Sequence, residues 1–148
     1  MREILFRGKR VDNGEFAYGY VGVFKGTTQI FVPYTEEEKK ENEGHIFSVI
    51  GGLWHTVIPE TIGQFTGLTD KNGKVIFEGD IVVFNRGRNL RNSRPHPEVI
   101  FFDERNVQFT RYTSPYATLQ KDMMSECEVI GNIHDNPDLL KTPKEADQ

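Results

Sequence analysis

Nothing in this sequence restricts its fold more than the stretch Asp70 to Phe84, DKNGKVIFEGDIVVF. Asp70-Lys71-Asn72-Gly73 is a reversal signal, because Asn and Gly accept the positive φ that a tight hairpin demands. Val75 to Phe77 then reads as a short strand, Glu78-Gly79-Asp80 re-aims the chain, and Ile81 to Phe84 continues as an unbroken apolar run. Such a run implies a strand buried on both faces. The rest of the chain agrees: Ile, Val and Thr number 34 together against 10 for Leu and Ala, which argues against an all-α protein. With 148 residues, 36% hydrophobic and 27% charged, the composition is that of a globular domain or of two small lobes, not of a disordered chain.

The first third reads as a β-meander. Glu3 to Lys9 forms an opening strand, Asp12-Asn13-Gly14 a reversal, and Phe16 to Phe24 a strand with period-two alternation. Phe16, Tyr18 and Tyr20 fall on one face and Ala17, Gly19, Val21 and Val23 on the other, and both faces are expected to be at least partly covered. A turn at Lys25-Gly26-Thr27 leads to a strand from Gln29 to Val32, which Pro33 ends. Thr35 to Gly44 carries no apolar residue and is read as a mobile loop or a solvated turn of helix. HIFSVI and LWHTVI follow as two short β-rich runs. From Ile62 onward, strands are expected at Ile62–Thr66, Val75–Phe77, Ile81–Phe84, Glu98–Phe102, Val107–Tyr112 and Glu128–Ile133. Ser114 to Met124 is ambiguous, and Pro137 opens a short helical turn ending near Leu140. Strands this short at this spacing suggest a small barrel.

Catalytic signatures are wanting. No phosphate-cradling glycine motif is present, and His45, His55, His96 and His134 share no metal-ligand spacing, so neither a cofactor nor a metal is expected. Cys127, flanked by Glu126 and Glu128, is read as an inert residue at a strand start, its thiol pKa raised by those carboxylates. Glu78 and Asp80 would share a face if extended, but Gly79 between them favours a turn in which Asp80 accepts backbone N–H bonds. The arginine-rich run RGRNLRNSR places Arg86, Arg88, Arg91 and Arg94 in one loop with no acidic residue between Asp80 and Glu98. Two uses of it stand: gripping nucleic-acid phosphates, or docking on an acidic patch such as Glu36 to Glu43 of a second copy. The net charge of −4 argues against a wholly basic nucleic-acid binder. No apolar run approaches the roughly 18 residues of a membrane span, and the start MREILFRGKR lacks a signal-peptide core, so a cytoplasmic protein without membrane partners is expected.

The stretch ETIGQFTGLTDKNGKVIFEGDIVVF, Glu60 to Phe84, resembles the core signature of the YopX family of phage and prophage proteins. VIGNIHDNPDLL at Val129 to Leu140 resembles that family's closing motif, and MREILFRGKR its opening. The resemblance implies an all-β protein with little helix, made of two β lobes, the C-terminal one an SH3-like small barrel. Residues 1–58 are then the N-terminal lobe, 59–134 the barrel lobe, and 135–148 a short helical turn and polar tail. It supplies no catalytic residues. The expectation is a non-enzymatic accessory protein that binds a phage or host protein or its own copies, with nucleic acid held by Arg86, Arg88, Arg91 and Arg94 as the alternative and a hydrolase as the least favoured.

Overall fold

The β-formers and turn residues sort into antiparallel hairpins. A computed structural model describes residues 3–41, 43–44, 51–84, 97–111, 114–119, 124 and 126–141. The chain is mostly β, with one α-helix and two sheets among the described residues. It divides into two compact units, Met1–Gln64 and Phe65–Gln148.

In the first unit, β1 (Phe6–Lys9) pairs with β2 (Phe16–Phe24), which pairs with β3 (Thr27–Pro33), which pairs with β4 (Gly52–Thr56). The first residues of β5 (Gly63–Thr69) pair with the other edge of β1. β2 serves two partners in succession: Phe16 to Gly19 lie opposite β1, and Tyr20 to Phe24 opposite β3. Gly19 stands where the partner changes, and a Cβ there would collide with the Phe31 carbonyl, so only glycine lets β3 pass so close. The Lys25-Gly26 turn between β2 and β3 has positive φ at both residues, 49° and 77°, the geometry that matches strand twist in a two-residue hairpin. Ala17, Ile30 and Val57 form the buried cluster on one side of this sheet. A single-turn connection, Pro59–Thr61, is tied to β1 by Thr61, whose Oγ1 accepts from the Lys9 N–H at 2.8 Å and donates to the Ile58 carbonyl at 2.7 Å.

Thr35 to Gly44 contains α1 (Glu36–Glu41), a short helix with no buried residue. Its start is a reciprocal cap: the Glu38 N–H donates to Thr35 Oγ1 at 3.3 Å, and the Thr35 N–H donates to Glu38 Oε2 at 2.7 Å. Of the two readings weighed for this stretch, the solvated turn of helix is the one found. HIFSVI, His45 to Ile50, lies outside the described residues.

In the second unit, β6 (Val75–Phe77) pairs with the later part of β5. The strands β7 (Asp80–Phe84), β8 (Glu98–Asp103), β9 (Gln108–Arg111), β10 (Ser114–Thr118) and β11 (Cys127–Asn132) form a sheet in the order β10-β9-β8-β7-β11. Its outer strands β10 and β11 are not paired with each other, so the described residues make an open sheet and not the closed barrel expected. β7 is central and buried: Ile81 and Val82 are fully covered and Phe84 nearly so, as its unbroken apolar run requires. Ile76, Val82, Ile100, Met124, Cys127 and Val129 are the heart of the core.

The two stretches that resemble the family signature meet here. β7 pairs with β11, Asp80 lying opposite Asn132. Gly79, at φ 83°, donates its N–H to the Ile100 carbonyl at 2.8 Å and accepts from the Ile133 N–H at 2.9 Å. Buried Asp70 accepts from the Asn72 and Lys74 N–H groups at 2.8 and 2.9 Å, closing its own turn, and from the Val129 N–H at 3.0 Å, 59 residues away. Asp80 accepts the Phe77 N–H at 2.8 Å, the strand-entry role expected of it. These are architectural contacts, which is why that part of the sequence is so rich in turn residues.

Candidate binding face

Alternation along β2 makes two unequal faces. Ala17 and Gly19 point into the core, whereas Tyr18 and Tyr20 stay 46% and 51% exposed. Cover is partial on both faces, as expected: Arg7, opposite Tyr18 on the aromatic face, is buried, while Val23 on the other face is exposed. Register extends the aromatic face across the sheet. Tyr20 lies opposite Phe31, and Phe31 opposite Trp54, so three aromatic side chains stand in one row over three strands. The Phe31 and Trp54 rings touch at 5.2 Å between centroids, tilted by 48°. Trp54 is half exposed and Phe24, at the end of β2, is 65% exposed.

Beside this row is a groove of about 530 Å³ lined by Gly22, Val23, Phe24, Gln29 and Trp54. The Trp54 ring lies over Gly22 so closely that an added Cβ there would sit 3.1 Å from it. Phe24 and Trp54 bring aromatic rings to the groove, and Gln29 contributes an amide with both donor and acceptor capacity.

This face carries basic but no acidic strand residues, and its Arg7 is buried. The strand positions sharing it are Arg7 and Lys9 of β1, the even-numbered residues of β2, the odd-numbered residues of β3, and Gly52, Trp54 and Thr56 of β4; none is acidic. Arg7 and Lys9 lie over the Phe16 ring at 4.8 and 5.4 Å, and exposed Lys25 lies 5.5 Å from the Phe24 ring at the groove's rim. Cations against ring faces are held by the ring quadrupole.

The sequence pointed to other residues. Arg86, Arg88, Arg91 and Arg94 lie outside the described residues, as do His45 and His96. His55 of β4 lies opposite Ile30, half-buried, and burial, helped by the positive charge of Arg10, holds its imidazole below the ordinary value. The His134 N–H donates to Asn132 Oδ1 at 3.0 Å within a turn. No group of three or more His, Cys, Asp or Glu side chains that could hold a metal occurs among the described residues. Cys127 is fully buried, and its thiol is pushed up to about 11 first by burial and then by the Asp70 charge, not by the flanking glutamates. Buried Glu98 pairs with Arg111 at 3.2 Å, while the guanidinium lies 4.6 Å over the Phe84 ring. That pair holds β8 to β9. Trp54, Phe31 and Gly22 were not singled out by the sequence; the signal was the solitary tryptophan in a strand that pairs with an aromatic one.

No curated protein matches the chain. Among solved structures it is similar to the crystal structure of protein EF1440 from Enterococcus faecalis, at 22% identity and a TM-score of 0.55, over 95% of this chain and 100% of that one. That likeness bears on the fold. The family model for the YopX protein matches residues 5–141, taking in both the turn-rich signature and the closing motif, and the chain belongs to the YopX family.

Proposed function

We propose that this is a non-enzymatic phage or prophage accessory protein of the cytoplasm that acts by binding, with the aromatic face of the first unit as its contact surface. The observation that supports the reading is the row Tyr20, Phe31 and Trp54 with the groove beside it. Large exposed apolar patches mark interaction sites, because leaving them in water is unfavourable unless a partner covers them. No helix is long and apolar enough to cross a membrane among the described residues. For the second unit an SH3-like architecture is proposed, supported by its run of short antiparallel strands.

Self-association is part of the proposal. In the second unit Ile130, Ile133, Leu139 and Leu140 are each between 37% and 39% exposed, an apolar set near the outer strand β11 that suits a contact between copies. Light scattering at tens of micromolar, with Ile133→Ser and Leu139→Ser alongside the unaltered chain, tests it. A multimeric mass that drops in the double variant is expected. A monomeric mass for the unaltered chain refutes self-association.

A further inference from the structure

The groove beside Trp54 has the features of a base-stacking site. Two aromatic residues, Phe24 and Trp54, line it with Gly22, Val23 and Gln29, and the Trp54 ring packs over Gly22. Gln29 offers an amide to the edge of a flat ring, and Lys25 stands at the rim. The register places no carboxylate on this face of β1 to β4, although acidic residues outnumber basic ones in the chain as a whole, 22 to 18. An apolar peptide or a second copy would need aromatic walls but no such charge selection. A polyanion that also stacks needs both.

From this we propose that the face takes single-stranded nucleic acid, one base stacking in the groove between Phe24 and Trp54 and a neighbouring phosphate meeting Lys25. The inference rests on the binding reading above and names its partner. It is separate from any part played by the arginine run. A duplex hides its base faces in its own stack, so single strands are selected over double strands. Discrimination among bases is weak, since every base has a π-face.

Trp54 is the sole tryptophan, so its emission reports on the groove directly. Fluorescein-labelled oligothymidylate and oligouridylate, and a duplex of the same length, are titrated with the full chain at low salt. Anisotropy of the label and emission of Trp54 are both followed. Trp54→Ala, Gly22→Val, which pushes against the Trp54 ring, and Lys25→Glu are compared with a variant carrying Ala at positions 86, 88, 91 and 94, each checked for its far-ultraviolet circular dichroism. The expected result is quenching of Trp54 by single strands. Affinity should fall about tenfold or more in Trp54→Ala, with a shallower salt dependence in Lys25→Glu and binding retained without the four arginines. Should Trp54→Ala fail to fold, Gly22→Val and Lys25→Glu carry the same expectation.

Single strands bound equally well by all three groove variants would overturn the inference while leaving a binding function in place. No oligonucleotide binding, together with a Trp54 emission that shifts with protein concentration, would also overturn it and give the face to a second copy. Absence of both effects would remove the inference and the binding face together.

Discussion

Asp70 shows how much one side chain carries in this fold. Burial by itself would push its carboxyl up, but the N–H groups of Val129, Lys74 and Asn72, aided by the Lys74 charge, hold it below the ordinary value of 3.8. Because the folded value is the lower one, its stabilisation is present above the unfolded value and is lost as pH falls through the folded one. Acid titration of stability should therefore show a loss that begins near pH 5 and deepens below 3.8. In Asp70→Asn that pH-dependent component should shrink. The same variant points an amide N–H at a backbone donor, and denaturant melts at neutral pH should show it less stable by about 2–3 kcal/mol. Equal stability would mean the strap to Val129 is not made. Glu98, 2% exposed beside Arg111, is a second such residue. Glu98→Ala leaves a guanidinium buried without its carboxylate and should cost about 3–5 kcal/mol, with no change in the affinity of the first unit's aromatic face.

At the scale of elements, turns were the most legible feature. Asn72-Gly73, Lys25-Gly26 and Asn136-Pro137 announce local backbone conformation, which neighbouring residues decide by themselves. β2 and β6 accordingly begin and end where alternation and turn signals place them. α1 was harder, because its six residues bury nothing and the cap Thr35 to Glu38, which does sit in the sequence as T-x-x-E, was the one signal available. One turn is poorly written for its geometry. Val107, at the end of the β8–β9 loop, has φ 53° and is 75% exposed, a branched residue where Asn or Gly is favoured. Val107→Asn should raise the melting temperature, with a gain of about 1 kcal/mol; an unchanged or lower value would contradict the strain.

For the molecule as a whole, the sequence separates faces more readily than it says which face is covered. Alternation in β2 distinguishes aromatic from small residues, yet coverage depends on where distant chain is placed, and here Ala17 and Gly19 are buried while Tyr18, Tyr20 and Val23 stay exposed. The meeting of the two signature stretches at Asp70 with Val129 and Gly79 with Ile133 was likewise beyond local reading, since the partners stand 59 and 54 positions apart in the chain. The arginines that drew attention by their spacing lie outside the described residues, while the groove depends on a register that pairs Phe31 with both Tyr20 and Trp54. Whether that face is a working surface is best read from acrylamide quenching of Trp54, first in dilute protein and then with oligothymidylate added or at high protein concentration. Trp54 is expected to be open to quencher in dilute protein and shielded once a partner or second copy is present. A Trp54 already shielded in dilute protein, or one equally accessible under every condition, would contradict it.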